Sequence, residues 1–129
     1  MYEGGVRIPL MVVGPGIAHG RTRDLIPATA LASMLCGYMG IPSHPSWETS
    51  MEVFVHTFSP NGLPYAPIAW RKAVIEERWK RIRRDTGVLE ELFDLATDPL
   101  EATNLLLAPL SMEAYEANQR LEAKLDELP

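Results

Sequence analysis

The sequence predicts an α+β fold, because strand patterns and helical patterns both occur and occupy separate stretches. A branched apolar run over Ile8–Val13 and an alternating run over Glu52–Phe58 read as strands. Apolar residues at three- and four-residue spacing mark one helix in the first half of the chain and another at its end. With 129 residues, of which 47% are hydrophobic, the chain can bury one real core and is not a wholly disordered polymer.

The first strand, Arg7-Ile8-Pro9-Leu10-Met11-Val12-Val13, is bounded by Gly4-Gly5 and by Gly14-Pro15-Gly16. A continuous branched run of this length suits a strand covered on both faces, and Pro9 is tolerable near its start. Asp24 stands as an N-cap for a helix over residues 25–39. Its apolar face is Ala28, Leu31, Ala32, Leu35, Tyr38 and Met39, and Gly40 and Pro42 stop it. Pro42–Ser50 reads as a loop. In the second strand Val53, Val55 and Thr57 face one way and Phe54, His56 and Phe58 the other. Ser59-Pro60-Asn61-Gly62 is a turn. Ile68–Arg84 fits either a helix, with Ile75, Trp79 and Ile82 on one face, or two short strands turning at Glu76-Glu77. Asp85-Thr86-Gly87 and Thr97-Asp98-Pro99 are turns around an extended stretch, Leu89–Leu95. Ser111 is a candidate N-cap for a final helix striped by Ala114, Ala117, Leu121, Leu125 and Leu128, with Glu116 and Arg120 spaced to pair.

Twelve Lys and Arg against seventeen Asp and Glu leave a net charge of −5, a poor match to a phosphate backbone, so no nucleic-acid partner is expected. The basic run Arg78-Trp79-Lys80-Arg81-Ile82-Arg83-Arg84 is the local exception. It reads as Trp79 and Ile82 packing inward with the charged tips in solvent. The longest apolar run is too short to span a bilayer, so no membrane partner is expected. The N-terminus carries no basic and apolar signal segment, and the reading places the chain in the cytoplasm.

No residue set announces chemistry. Cys36 is single, which excludes an internal disulfide and a thiolate-rich zinc site, and it reads as a small buried hydrophobe. His19, His44 and His56 lie in separate segments without ligand spacing. The glycines match neither a P-loop nor a dinucleotide fingerprint. Asp94, Asp98 and Glu101 lack the spacing of a calcium loop and read as turn formers. No catalytic residue, cofactor-binding residue, metal ligand or cofactor is expected.

Two motifs together resemble a known family. Tyr2-Glu3-Gly4-Gly5-Val6-Arg7-Ile8-Pro9, the apolar run and Gly14-Pro15-Gly16 are similar to the Tyr-Glu-Gly-Gly-x-Arg-x-Pro segment of bacterial type I sulfatases. Trp79-Lys80-x-Ile82, followed by Glu91-Leu92-Phe93-Asp94-Leu95-x-x-Asp98-Pro99-x-Glu101-x-x-Asn104-Leu105, resembles their C-terminal signature. The resemblance implies the alkaline phosphatase superfamily. Residues 1–45 would be one strand and one helix from the end of the large α/β domain, and residues 46–129 the small C-terminal subdomain, as one compact unit. Strands at Val53–Phe58, Ala73–Ile75, Arg78–Ile82 and Leu89–Asp94 would form a small antiparallel sheet, with a helix over residues 111–127 packed on it. The family's Cys/Ser-x-Pro-x-Arg nucleophile motif and its metal carboxylates have no counterpart here. Glu3, Arg7, Asp94, Asp98 and Asn104 match family positions and read as turn formers, caps and ion pairs.

The expected function is thus a sulfatase-like C-terminal fragment without catalysis of its own. The alternatives are a stand-alone self-associating or partner-binding module, and the non-catalytic part of a sulfuric ester hydrolase completed by another chain. A homodimer is expected through the Ile8–Val13 strand and the helix face Leu31, Leu35 and Met39, because both surfaces need cover.

Overall fold

The computed structural model describes residues 2–42, 52–57, 71–84 and 89–128. The loop over 43–50, the turns at 59–62 and 85–87, and His44 lie outside the described residues.

Four strands form an antiparallel meander in the order β1-β2-β3-β4: β1 Val53–Thr57, β2 Arg71–Ile75, β3 Trp79–Arg84 and β4 Glu91–Asp94. The strand alternative for the ambiguous region is the observed one. β2 and β3 make a hairpin across Glu76-Glu77-Arg78, closed by the Glu76 N–H donating to the Trp79 carbonyl at 2.9 Å. Ala73 pairs with Ile82 and Arg81 with Leu92, which sets the register of the sheet's two faces.

The long C-terminal helix, which follows a short turn of helix Glu3–Val6 (α1) and a helix Leu31–Met39 (α2), is α3, Met112–Asp126. Ser111 caps it, its hydroxyl accepting from the Ala114 N–H at 3.2 Å. The expected stripe is the buried one: Ala114, Ala117, Leu121 and Leu125 pack on Val74, Trp79 and Leu92. The opposite sheet face gathers Ala73, Ile82 and Phe93, with Val55 and Leu95 against them. The small antiparallel sheet packed by a C-terminal helix makes the chain α+β, as the sequence predicts.

The first 42 residues depart from expectation. Ile8–Val13 forms no strand: the segment enters no ladder, and Ile8, Met11 and Val13 are at least 83% exposed. Branched apolar residues favour extended backbone, but a strand also needs a hydrogen-bonded neighbour, and none of the described strands lies beside it. The helix expected over 25–39 starts later. Pro27 holds extended geometry (φ −64°, ψ 145°), a 3₁₀ turn follows at Ala28–Ala30, and α2 begins at Leu31. Pro27 disfavours helical geometry at Ile26, and as the third residue of a helix capped by Asp24 it would offer no N–H for the Asp24 carboxylate to accept from. The Asp24 N–H itself donates to Thr22 Oγ1. The C-terminal end is as expected. Gly40 is left-handed (φ 66°), and Ile41 N–H reaches the Cys36 carbonyl at 2.9 Å. Leu35, Tyr38 and Met39 on α2 are more than half exposed.

Candidate functional site

Strand β3 with Arg78 just before it is the chemical centre of the structure. Alternation along a strand sends odd and even positions to opposite faces. Trp79, Arg81 and Arg83 therefore face α3, while Lys80, Ile82 and Arg84 face the other way. Trp79 and Ile82 are three apart and cannot share a face, so the expectation that they pack inward together is corrected. The charged tips are not in solvent either: Lys80 is fully buried and Arg81 is 4% exposed.

Every cation of the run meets a carboxylate. Arg78 forms a fork on Asp94, both bonds at 2.9 Å, pairs with Glu113 and stacks over Trp79 at 4.6 Å. Arg81 pairs with Glu90 and Glu122, and Arg83 with Glu122 (3.2 Å) and Asp126 (2.6 Å). Arg84 holds Glu91 at 3.0 Å. Arg120, expected beside Glu116, instead forms a fork on Glu76 with bonds of 3.1 and 2.7 Å. That fork holds the Glu76 carboxyl below the usual carboxylate range.

On the face away from α3, the chain's first residues close the sheet. Lys80 Nζ donates to Glu3 Oε1 at 3.0 Å and lies 2.7 Å from Glu101 Oε1 as a close ion pair. The Glu3 backbone N–H donates to Glu101 Oε2. Tyr2 meets Phe93 edge to face, at 6.2 Å between ring centroids. Its hydroxyl donates to Glu91 Oε1 at 2.7 Å, and that bond raises its pKa above the ordinary phenol value. The two sequence motifs thus meet in space: Tyr2 and Glu3 come from one, and Lys80, Glu91, Phe93 and Glu101 from the other.

The remaining candidate positions are spent on the backbone. Asp94 accepts from the Ala96 N–H at 3.1 Å as well as from Arg78. Asp98 takes the N–H groups of Ala102 and Thr103 at 3.1 and 2.8 Å. Asn104 accepts from Leu92 and Leu106, both at 3.1 Å, and donates to the Glu90 carbonyl at 2.9 Å, so it ties β4 to the 3₁₀ turn Leu105–Leu107. Arg7 ends α1, its N–H reaching the Glu3 carbonyl at 2.9 Å, and its side chain is exposed. Cys36 is half-buried on α2 and His19 is exposed. No group of three His, Cys, Asp or Glu side chains that could hold a metal occurs among the described residues. A half-open cleft of about 230 Å³ between Trp79, Asp94, Leu105, Pro109 and Ser111 carries one cation, Arg78, already neutralised by Asp94 and Glu113.

Sequence reading placed Glu3, Asp94, Asp98 and Asn104 correctly as ion-pair, turn and capping residues. It missed Lys80, Glu101, Tyr2, Glu91 and Arg84 as one cluster. The available signal was a basic run carrying Trp79 and Ile82, but the partners of Lys80 lie 77 and 21 positions away and no local pattern links them.

No protein-family model matches the chain. Among curated proteins, choline-sulfatase of Rhizobium meliloti is 33% identical over 84% of this chain and 23% of its own length. Arylsulfatase K of Xenopus laevis is 26% identical over 98% of this chain and 27% of its own, and that of Bos taurus 29% over 81% and 23%. Among solved structures, a sulfatase-like protein of Bacteroides thetaiotaomicron superposes with a TM-score of 0.61 over 75% of this chain and 23% of that one, at 22% identity. The chain spans about a quarter of the length of the curated relatives it matches.

Arg78 lowers the Asp94 carboxyl pKa, with the Ala96 N–H helping and desolvation opposing. A lowered folded-state pKa stabilises the fold above the unfolded carboxyl value of about 3.9 and ceases to do so as pH falls through the folded value. Asp94→Asn is therefore expected to cost about 1 kcal/mol near neutral pH, from a weakened, part-exposed fork. Urea unfolding of both proteins between neutral pH and pH 3 checks this: the gap should close on the acid side, and a constant gap would contradict the assignment.

Proposed function

We propose that the chain, which is sulfatase-related in sequence and in fold over about a quarter of a sulfatase's length, is the C-terminal portion of a type I sulfatase of the alkaline phosphatase superfamily and holds no catalytic group itself. In this reading residues 1–45 end the large domain and residues 46–129 form the small subdomain. The sulfate-ester hydrolysis belongs to the preceding three-quarters of the protein. The observation that carries the reading is the fate of the motif residues. The charged residues of both motifs, apart from the exposed Arg7, are committed to an ion pair or a cap, so none of these motif residues is left free to act as a positioned acid or base.

The exposed apolar residues of the leading segment supply the second support. Ile8, Met11 and Val13, outside any helix or strand, and Leu35 and Met39 on α2 are exposed apolar side chains of the kind that proteins ordinarily cover. In the longer protein the preceding chain would cover it. In the isolated chain a second copy is the available cover, which keeps the homodimer as part of the proposal.

Two measurements follow. The purified chain should not turn over para-nitrophenyl sulfate with or without added calcium, while the same chain extended by its preceding coding sequence should. Turnover by the short chain would overturn the reading. Light scattering of the short chain at tens of micromolar should show a dimer, and Met11→Lys should convert it to monomer, with a lower urea midpoint only at concentrations where the wild type is dimeric, because association stabilises the folded chain by mass action and Met11 is 86% exposed within one copy. A monodisperse wild-type monomer would refute the self-association.

A further inference from the structure

Residues 2–6 touch the sheet through a set of contacts more selective than chain connectivity requires. Glu3 is held at two points at once. Its carboxylate accepts from Lys80, and its own backbone N–H donates to Glu101. The receiving pair is built for this. The side chains of Lys80 and Glu101 are 0% and 2% exposed and lie 2.7 Å apart, so they neutralise each other before Glu3 arrives. Lysine has three donor hydrogens, and one ion pair leaves some of them free for a second carboxylate. Glu101 is held at φ 55°, a left-handed conformation that a non-glycine residue adopts at a cost. Next to this clamp, Phe93 receives the Tyr2 ring, and Glu91, steadied by Arg84, receives its hydroxyl.

We propose that the sheet face opposite α3 is a docking site for an aromatic-acidic dipeptide, occupied in this chain by its own Tyr2-Glu3. Lys80 and Glu101 read the glutamate by side chain and backbone together, and Phe93 and Glu91 read the tyrosine. The site fixes the root of the leading segment on the small sheet, while the exposed stretch beyond Arg7 extends away from it. The proposal involves only residues of this chain and does not depend on the sulfatase assignment.

Amide exchange measured by NMR on the full chain tests it. The Glu3 amide donates to Glu101, and those of Gly5, Val6 and Arg7 donate to the Tyr2 and Glu3 carbonyls within a four-residue turn, a length too short to persist in water without docking. Glu3→Gln keeps the size and an acceptor oxygen but removes the charge that Lys80 reads. It should speed exchange at residues 3, 5, 6 and 7 about tenfold, the scale of one weakened charge-assisted bond. Exchange at Leu92 and Leu121 should stay unchanged. Glu101→Gln should speed the same four amides, and adding Glu3→Gln to it should have a smaller effect than in the wild type, because the two residues share one lysine. Unchanged exchange at residues 3–7 in Glu3→Gln would overturn the proposal. So would equal acceleration at Leu121, which would make the segment part of the global core instead of a docked unit. Additive effects of the two substitutions would overturn the shared clamp.

Discussion

The structure depends on neutralising strand β3. Five cations within seven residues, Arg78 to Arg84, surround two large apolar side chains, and the strand lies inside the sheet with both faces covered. A buried ammonium or guanidinium without a partner would outweigh the hydrophobic gain of burying Trp79 and Ile82. Carboxylates from the leading segment, β4, the residue before it, the loop after it and α3 answer it, eight among the described residues: Glu3, Glu90, Glu91, Asp94, Glu101, Glu113, Glu122 and Asp126. The acidic excess of the chain is therefore in part an internal requirement. Strand parity sorts the pairs: Arg81 and Arg83 fix the carboxylate edge of α3, and Lys80 and Arg84 fix the leading segment.

Local patterns made α3, β1 and the Asp98 turn readable, whereas β2 and β3 stood open between helix and strands until the family resemblance favoured strands, and Asn104 stood out through that resemblance alone. The stripe of α3, its Ser111 cap, the β1 strand and the Asp98 turn each rest on neighbours a few residues apart, and the structure has them where the pattern puts them. The Ile8–Val13 run and the fate of the basic run were not readable locally. The Ile8–Val13 run has strand composition, yet a strand is a property of a pair, and no partner stands beside it among the described strands. The late start of α2 is readable from Pro27, which stands inside the apolar periodicity, restricts Ile26 and is itself extended before the 3₁₀ turn at Ala28–Ala30. The fate of the basic run was illegible because sequence shows the cations but not which distant acids fold onto them.

The meeting of the two motifs gives the sulfatase relationship a physical content. Tyr2-Glu3 and Trp79-Lys80 lie about 77 residues apart, and the latter strand is the surface on which the former rests. A chain that kept one motif without the other would leave either a buried lysine short of an acceptor or an acidic segment without a seat.

The central claim is that the small fold stands on the paired cations of β3. Urea unfolding of Lys80→Met near neutral pH tests it most directly, because methionine keeps most of the unbranched apolar stem and removes the ammonium group with its charge and donors. The account predicts a loss of about 3–5 kcal/mol, since Glu3 and Glu101 are left facing each other beside a buried apolar group. A loss below about 1 kcal/mol would contradict it and would place the stability in the apolar packing of α3 alone.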